Sequence, residues 1–242
     1  MSDAIGVPVN DQSVFVQALG LALDPAWRRR AEPDRATDSQ ALLAAEACTA
    51  TAGVRTLTCS TIGIEPGVDV LLLRLAPSVD ALEEAGARLH REGFGGWLSV
   101  RHSFIGRVAP SQYVKKATDQ ERSLLDGDPK RYLVVYPFTK SVDWYLLGRE
   151  ARQGIMNEHM RVGHGYPQVR QLLASSFGLD DQDFVVAYDT DDLDAFGDLV
   201  RELRGTESRR STVGDRPLLL GVRRSWPEIL AALGAPPVAA PA

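Results

Sequence analysis

Cysteine is nearly absent from this chain: 242 residues contain only Cys48 and Cys59. Two cysteines cannot build a disulfide framework, and they fall short of a cysteine-rich zinc site. Both are expected as free thiols in a reducing compartment. Histidine is also scarce, with four residues. No HExxH pattern and no Gly-rich phosphate loop stands near the closest pair, His159 and His164. Apolar runs long enough to span a bilayer are missing, so no membrane is expected as a partner. Met1 to Asn10 is small and polar, with neither a basic nor an apolar leader segment, and a cytoplasmic location is expected. An excess of basic charge is missing too: 27 Lys and Arg face 32 Asp and Glu, for a net charge of −5. That argues against nucleic acid as the main partner, because phosphates are neutralised by a basic surface. It leaves room for a local basic pocket that takes a small anion.

What is present reads as a soluble globular protein, 44 % hydrophobic and 24 % charged. The length suits one large domain or two small packed ones. Residues 1–53 differ from the rest and are expected as an N-terminal extension, wrapped on the main body or partly mobile. Within it Ser39 could cap a short helix through Ala50, and Arg28, Arg29 and Arg30 read as a solvated face. From Val54 the texture changes. "RTLTCSTIGI" and "VDVLLLRLA" predict strands divided by a Pro66-Gly67 turn. "SVDALEEAGARLHREG" predicts a helix capped by Ser78, with Val79, Leu82, Ala85 and Leu89 at helical spacing. "WLSVRHSFIGRV" predicts another strand.

The second half repeats the pattern. "RYLVVYPF" predicts a strand, and "DWYLLGREARQGIMNEHMRVG" a helix stopped near Gly163. "YPQVRQLLASSFGL" predicts a second short helix. "DFVVAYDTD" predicts a strand, "LDAFGDLVRELRGTESRR" a helix and "PLLLGVRR" a closing strand. Sliding the chain by 114 positions lays Leu72 on Val186, Val79 on Leu193, Asp80 on Asp194, Leu82 on Phe196 and Leu89 on Leu203. Strand falls on strand and helix on helix. The expected fold is therefore α+β: two ferredoxin-like repeats in a dimeric-α+β-barrel-type subunit, each an antiparallel sheet with helices on one face. The first lobe is expected at 54–130, the second at 131–230, and a C-terminal tail at 231–242. A cavity between sheet and helices would suit a small ligand.

His159 follows Ile155 at i−4 and Met156 at i−3 and precedes Val162 at i+3, so it lies on an apolar stripe. Spacing alone reads as a core histidine with one hydrogen bond. No second ligand stands at i+4, and His164 and Glu158 look solvated. A haem needs only one axial histidine, so this position fits haem better than zinc. Tyr136 and Lys140 stand four residues apart at the end of a strand, where a phenol and an ammonium can face one cavity. Lysine would hold a carboxylate as a point charge. The bland alternative is a half-buried tyrosine beside a surface lysine.

From about Arg55 to Leu230 the chain resembles the chlorite dismutase superfamily, and more closely its coproheme decarboxylases, the hydrogen-peroxide-dependent haem synthases. The stretches that carry the resemblance are "PSQYVKK", "YLVVYPFTKSVDWY", "MNEHMRVG", "SSFGLDDQDFVVAYDTDD" and "LVRELRGTESRR". They occur in the family's order and nearly at its spacing.

The resemblance implies roles. His159 matches the proximal ligand of the haem iron. Tyr136 matches the tyrosine that becomes a radical and attacks a propionate, and Lys140 the lysine beside that propionate. Arg122, fourteen residues before Tyr136, and Ser208 match propionate contacts, and Trp144 a pocket wall. The distal position, seven residues before Gly178, holds Gln171. Chlorite dismutases carry an arginine there, whereas many coproheme decarboxylases carry glutamine. Arg170 is adjacent, and only one of the two side chains can face the iron. The implied substrate is iron coproporphyrin III, its own redox cofactor. The oxidant is hydrogen peroxide, the route is ferryl iron and a tyrosyl radical, and the product is haem b. Chlorite dismutase activity and a non-enzymatic haem carrier or sensor are the alternatives. A homopentamer is implied by the resemblance alone.

Overall fold

The structure, a computed structural model, describes residues 14–91, 93–108 and 127–237. In chain order its first elements are β1 (Val14–Leu23), α1 (Glu32–Thr51), β2 (Arg55–Ser60), β3 (Val70–Ala76), α2 (Val79–Arg91) and β4 (Leu98–Val108). There follow β5 (Tyr132–Lys140), α3 (Val142–Leu146), α4 (Arg149–His164), β6 (Arg170–Ser175), β7 (Phe184–Thr190), α5 (Leu193–Arg204) and β8 (Thr212–Gly214). The last elements are β9 (Leu219–Arg223) and α6 (Trp226–Leu233). Two compact units divide the chain within β4, one ending at Phe104 and resumed at Leu219, the other running Ile105–Leu218.

The first unit is a βαββαβ arrangement. β1 pairs antiparallel with β3 (Leu19 opposite Leu72), and β2 takes the other edge of β3 (Leu57 opposite Leu73). β4 borders β1, and β9 adds to β2 through Cys59 opposite Arg223. The strand order 4-1-3-2 is that of a ferredoxin-like sheet. Its core joins Leu19, Leu21, Leu72, Trp27, Leu42 and Leu89, with Trp226 and Ile229 of α6. The second unit repeats the order with β8, β5, β7 and β6. The expected ferredoxin-like α+β fold is therefore present, twice.

Several expectations need correction. Residues 14–53 are not an extension: β1 and α1 open the first repeat, and of the first 53 residues 1–13 lie outside the described ones. α1 starts at Glu32 and not at Ser39, because Pro33 pre-sets the first turn and Glu32 and Asp34 suit its positive end. The segment expected as a second short helix contains strand β6, where Leu172 and Ala174 are buried and Leu173 between them is exposed. α6 runs to a buried Leu233, so the tail expected at 231–242 begins inside the core. The boundaries expected at 54–130 and 131–230 accordingly differ from the observed units. The Arg run is not simply solvated either: Arg28 Nε donates to the Leu233 carbonyl at 3.1 Å, and Arg30 lies 5.3 Å from the centroid of Trp97.

The first unit also buries a charge. Arg74 on β3 has no exposed surface and meets Glu46 of α1 at 2.8 Å. Burial pushes its guanidinium below the ordinary value, and Glu46 partly offsets this. Removing one partner of such a pair strands the other. Glu46→Ala is expected to lower the unfolding free energy by about 3–5 kcal/mol. Joint replacement, Glu46→Leu with Arg74→Met, is expected to recover most of that loss in urea titrations. A single variant as stable as the parent would show the pair to be without structural weight.

Candidate functional site

The second unit places its candidate site side chains by strand alternation. Across its sheet Tyr136 stands opposite Val186, which stands opposite Leu173; one row away Val134, Tyr188 and Gln171 align. These six residues and Phe138 share one face, because successive side chains alternate. The opposite face carries Val135, Ala187, Asp189, Leu172 and Arg170. The first face is the one α5 covers, since the Tyr188 ring packs against Phe196 at 5.3 Å between centroids. Gln171 therefore shares a face with Tyr136, and Arg170 does not.

Arg170 has its own partner. Its Nε and Nη2 donate to the two oxygens of Asp189 at 2.8 and 2.6 Å, and Nη2 also donates to the Asp128 carbonyl. Asp189 is buried and also accepts from the Lys130 amide at 3.0 Å. A bidentate pair of this kind is strong and geometrically fixed. The segment is a strand and not the expected helix, so Arg170 and Gln171, as neighbours on it, point to opposite sides.

Tyr136 and Tyr188 lie nearly parallel, 24° between planes and 6.0 Å between centroids. Burial raises the Tyr136 phenol above its ordinary value, while a hydrogen bond from Tyr188 works against the rise. Tyr188 itself is pushed far up by burial. Both are neutral phenols at physiological pH.

His159 sits on the inner side of α4 with Ile155, Met156 and Met160, all half-buried. The helix continues past Gly163, the expected stop, to His164, which is exposed. His159 Nδ1 lies 3.0 Å from Ser208 Oγ. Ser208 Oγ is 3.0 Å from Thr206 Oγ1, whose hydroxyl donates to the Leu203 carbonyl at 2.7 Å. Burial and then the Lys140 charge hold the imidazole down to about 4, against a smaller opposing effect of Glu158. It is thus a neutral ring, and among the described residues Nε2 has no hydrogen-bond partner. Glu158, expected as solvated, accepts from the Glu207 amide at 3.0 Å.

Lys140 ends β5 beside a register shift, where β8 pairs with it. Its Nζ donates to the Ser208 carbonyl and to Thr212 Oγ1, each at 3.0 Å. It also lies 4.8 Å from the ring centroid of Trp144, which is buried beneath it. Burial, then Arg209, lowers the ammonium to about 8. Sequence reasoning put Lys140 and Ser208 at a propionate; here both are tied to the turn under His159. Arg122 lies outside the described residues. Reasoning from sequence missed Arg204 and Arg209. Asp215 holds both, at 3.8 and 2.6 Å, within electrostatic reach of Tyr136. The signal was their clustering in "LVRELRGTESRR".

The chlorite dismutase family profile matches residues 34–224. A coproheme decarboxylase of Mycolicibacterium smegmatis is 30 % identical over 172 residues, which is 71 % of this chain and 74 % of that protein. A variant chlorite dismutase of Candidatus Nitrospira defluvii superposes with a TM-score of 0.84 at 22 % identity, covering 93 % of this chain and 98 % of the other. A second variant from that organism, in complex with cyanide, gives a TM-score of 0.86 at 21 % identity, covering 97 % of this chain and all of the other. At these identities the solved structures speak for the fold alone.

The low basicity of His159 has a consequence for stability. In the unfolded chain a histidine protonates near its ordinary 6.5, and in the fold His159 does so only near 4. The folded state binds the proton less readily, so the stability present above pH 6.5 is lost as pH falls to 4, by about 3 kcal/mol in all. His159→Gln does not titrate there, and its unfolding free energy is expected to fall less over this window. Parallel pH profiles for the two porphyrin-free proteins would contradict the buried neutral imidazole.

Proposed function

Because the chain belongs to the chlorite dismutase family, we propose that it is a coproheme decarboxylase. It would convert two propionates of iron coproporphyrin III to vinyl groups, with hydrogen peroxide as oxidant, and so release haem b. The observation that carries the choice within the family is the pairing of β6 with β7. It turns Gln171 to the face of Tyr136 and leaves Arg170 bound to Asp189 on the other. A chlorite dismutase reading needs a cation where Gln171 stands.

The residues suit an iron porphyrin. A single neutral imidazole cannot cage a bare ion, and among the described residues no group of three or more His, Cys, Asp or Glu is arranged to hold one. One axial nitrogen is sufficient when a macrocycle supplies the other donors. Leu173 is apolar yet 46 % exposed on the face of Tyr136, and α4 offers Ile155, Met156 and Met160. Such surface favours a flat apolar ring. Propionates need cations: Arg204 and Arg209 lie within electrostatic reach of Tyr136, and Arg209 also within reach of Lys140. Two of the three Nζ donors of Lys140 are engaged, which leaves one for a carboxylate.

When bound, the iron porphyrin substrate would supply the oxidising equivalents drawn from peroxide. His159 would hold the metal through Nε2, the ring nitrogen that is not engaged with Ser208. Tyr136, a protonated phenol, gives up its electron and proton together, then takes a hydrogen atom from the β-carbon of a propionate. Loss of a second electron and of CO2 leaves the vinyl group. For each propionate one peroxide becomes two waters, which balances the two hydrogens removed. Gln171 offers a neutral amide and so cannot act as a strong base toward peroxide. Arg170, committed to Asp189, is left out of the chemistry.

The test is anaerobic loading with ferric coproheme followed by peroxide titration and mass spectrometry. The parent protein is expected to show two successive losses, each of CO2 plus two hydrogens. Tyr136→Phe is expected to bind coproheme within one hydrogen bond's worth, about 0.5–1.5 kcal/mol, and to form almost no haem b. Full product yield from this variant would assign Tyr136 to the cavity wall. Arg170→Leu is expected to destabilise the fold and leave the product pattern intact. Sustained O2 release from chlorite, abolished by Arg170→Leu, would overturn the decarboxylase reading.

A further inference from the structure

We propose that Ser208 is a positioning residue that holds His159 in the Nδ1–H tautomer, so that Nε2 faces the porphyrin side unprotonated. The proposal rests on His159 as the iron ligand for its consequence, but its geometry stands without iron. The direction of the hydrogen bonds follows from counting protons. Thr206 has one hydroxyl proton, and it goes to the Leu203 carbonyl at 2.7 Å, which can only accept. Thr206 Oγ1 must then accept in its 3.0 Å contact with Ser208 Oγ. That uses the one proton of Ser208. Ser208 Oγ is left to accept across 3.0 Å from His159 Nδ1, which therefore carries the hydrogen. Nε2 keeps its lone pair.

The relay is anchored at both ends. Leu203 lies in the last turn of α5, where helix carbonyls lack partners within the helix. Lys140 Nζ grips the backbone carbonyl of Ser208, so the turn over Glu207–Ser211 cannot swing the hydroxyl away. Thr206 and Ser208 are 5 % and 4 % exposed, and water competes poorly there.

The relay also ends on a neutral group. A carboxylate accepting from Nδ1 would draw the proton and make the imidazole a stronger donor to iron. Glu207 is adjacent in sequence, but it is exposed and pairs with Arg210 at 3.5 Å, while its amide is held by Glu158. As an iron ligand His159 would thus be an ordinary neutral imidazole, fixed in orientation without added basicity.

The test has two arms. In the porphyrin-free protein, nitrogen NMR of isotope-labelled histidine is expected to show Nδ1 protonated and Nε2 bare. Ser208→Ala is expected to yield a mixture of tautomers, and Ser208→Thr to keep the parent form. Thr206→Val serves should Ser208→Ala fail to fold, and is expected to weaken the preference. In the ferrous coproheme complex the iron–histidine stretching band is expected to fall in Ser208→Ala and to rise in Ser208→Asp. The iron potential is expected to shift negative in Ser208→Asp. An Nε2–H tautomer in the parent, or a tautomer indifferent to Ser208→Ala, overturns the proposal. A tautomer that responds while the iron band does not keeps Ser208 as the positioning residue and removes His159 as the ligand.

Discussion

The pairing of β7 with β5 on one side and β6 on the other is the constraint on which the site depends. A slip of one residue would exchange the two faces of a strand. Tyr188 would leave Tyr136, and Asp189 would leave Arg170. The buried Arg170–Asp189 ion pair guards against that slip, because breaking it would strand a charge in the core. Structural and functional side chains are thus set by one ladder, with the ion pair on one face and the phenols and Gln171 on the other.

The two repeats use equivalent positions differently. At the offset of 114, Arg74 of β3 falls on Tyr188 of β7. In the first unit that position faces α1 and is closed by Glu46. In the second it carries a phenol beside Tyr136, and Leu173 nearby is half exposed. One repeat is filled by its own side chains, and the other leaves apolar surface on the same face of its sheet. Burial acts on both through the same cost. It holds the Arg74 guanidinium, the Lys140 ammonium and the His159 imidazole below their ordinary basicity. For His159 the effect favours the neutral ring, the form that keeps a nitrogen lone pair.

Under His159 the turn over Glu207–Ser211 joins elements that are distant in sequence. Ser208 reaches back to α4, its carbonyl binds the end of β5, and the preceding Thr206 caps the end of α5. None of these bonds contributes much alone, about 1 kcal/mol each. Together they orient one ring.

The amino-acid sequence determined the α+β class and the repeat, and it singled out the candidate site residues. Alternation in "RYLVVYPF" and "DFVVAYDTD", and helical spacing in "SVDALEEAGARLH", are local signals that survive without context. His159, Tyr136 and Gln171 were legible as candidates for the same reason, together with the motif order. β6 was not legible as a strand, because Val169, Leu172, Leu173 and Phe177 also fit helical spacing, and only the edge offered by β7 decides between the two periods. β1 and α1 were not legible as the start of a repeat, because their partners lie tens of residues away. The tertiary structure alone decided that Arg170 turns from Tyr136, that Arg204 and Arg209 come within its electrostatic reach, and that Ser208 meets His159 while Lys140 binds the Ser208 carbonyl. Partners and directions of this kind are set by strand register and by which turn packs beneath which helix, and no local stretch of sequence encodes either.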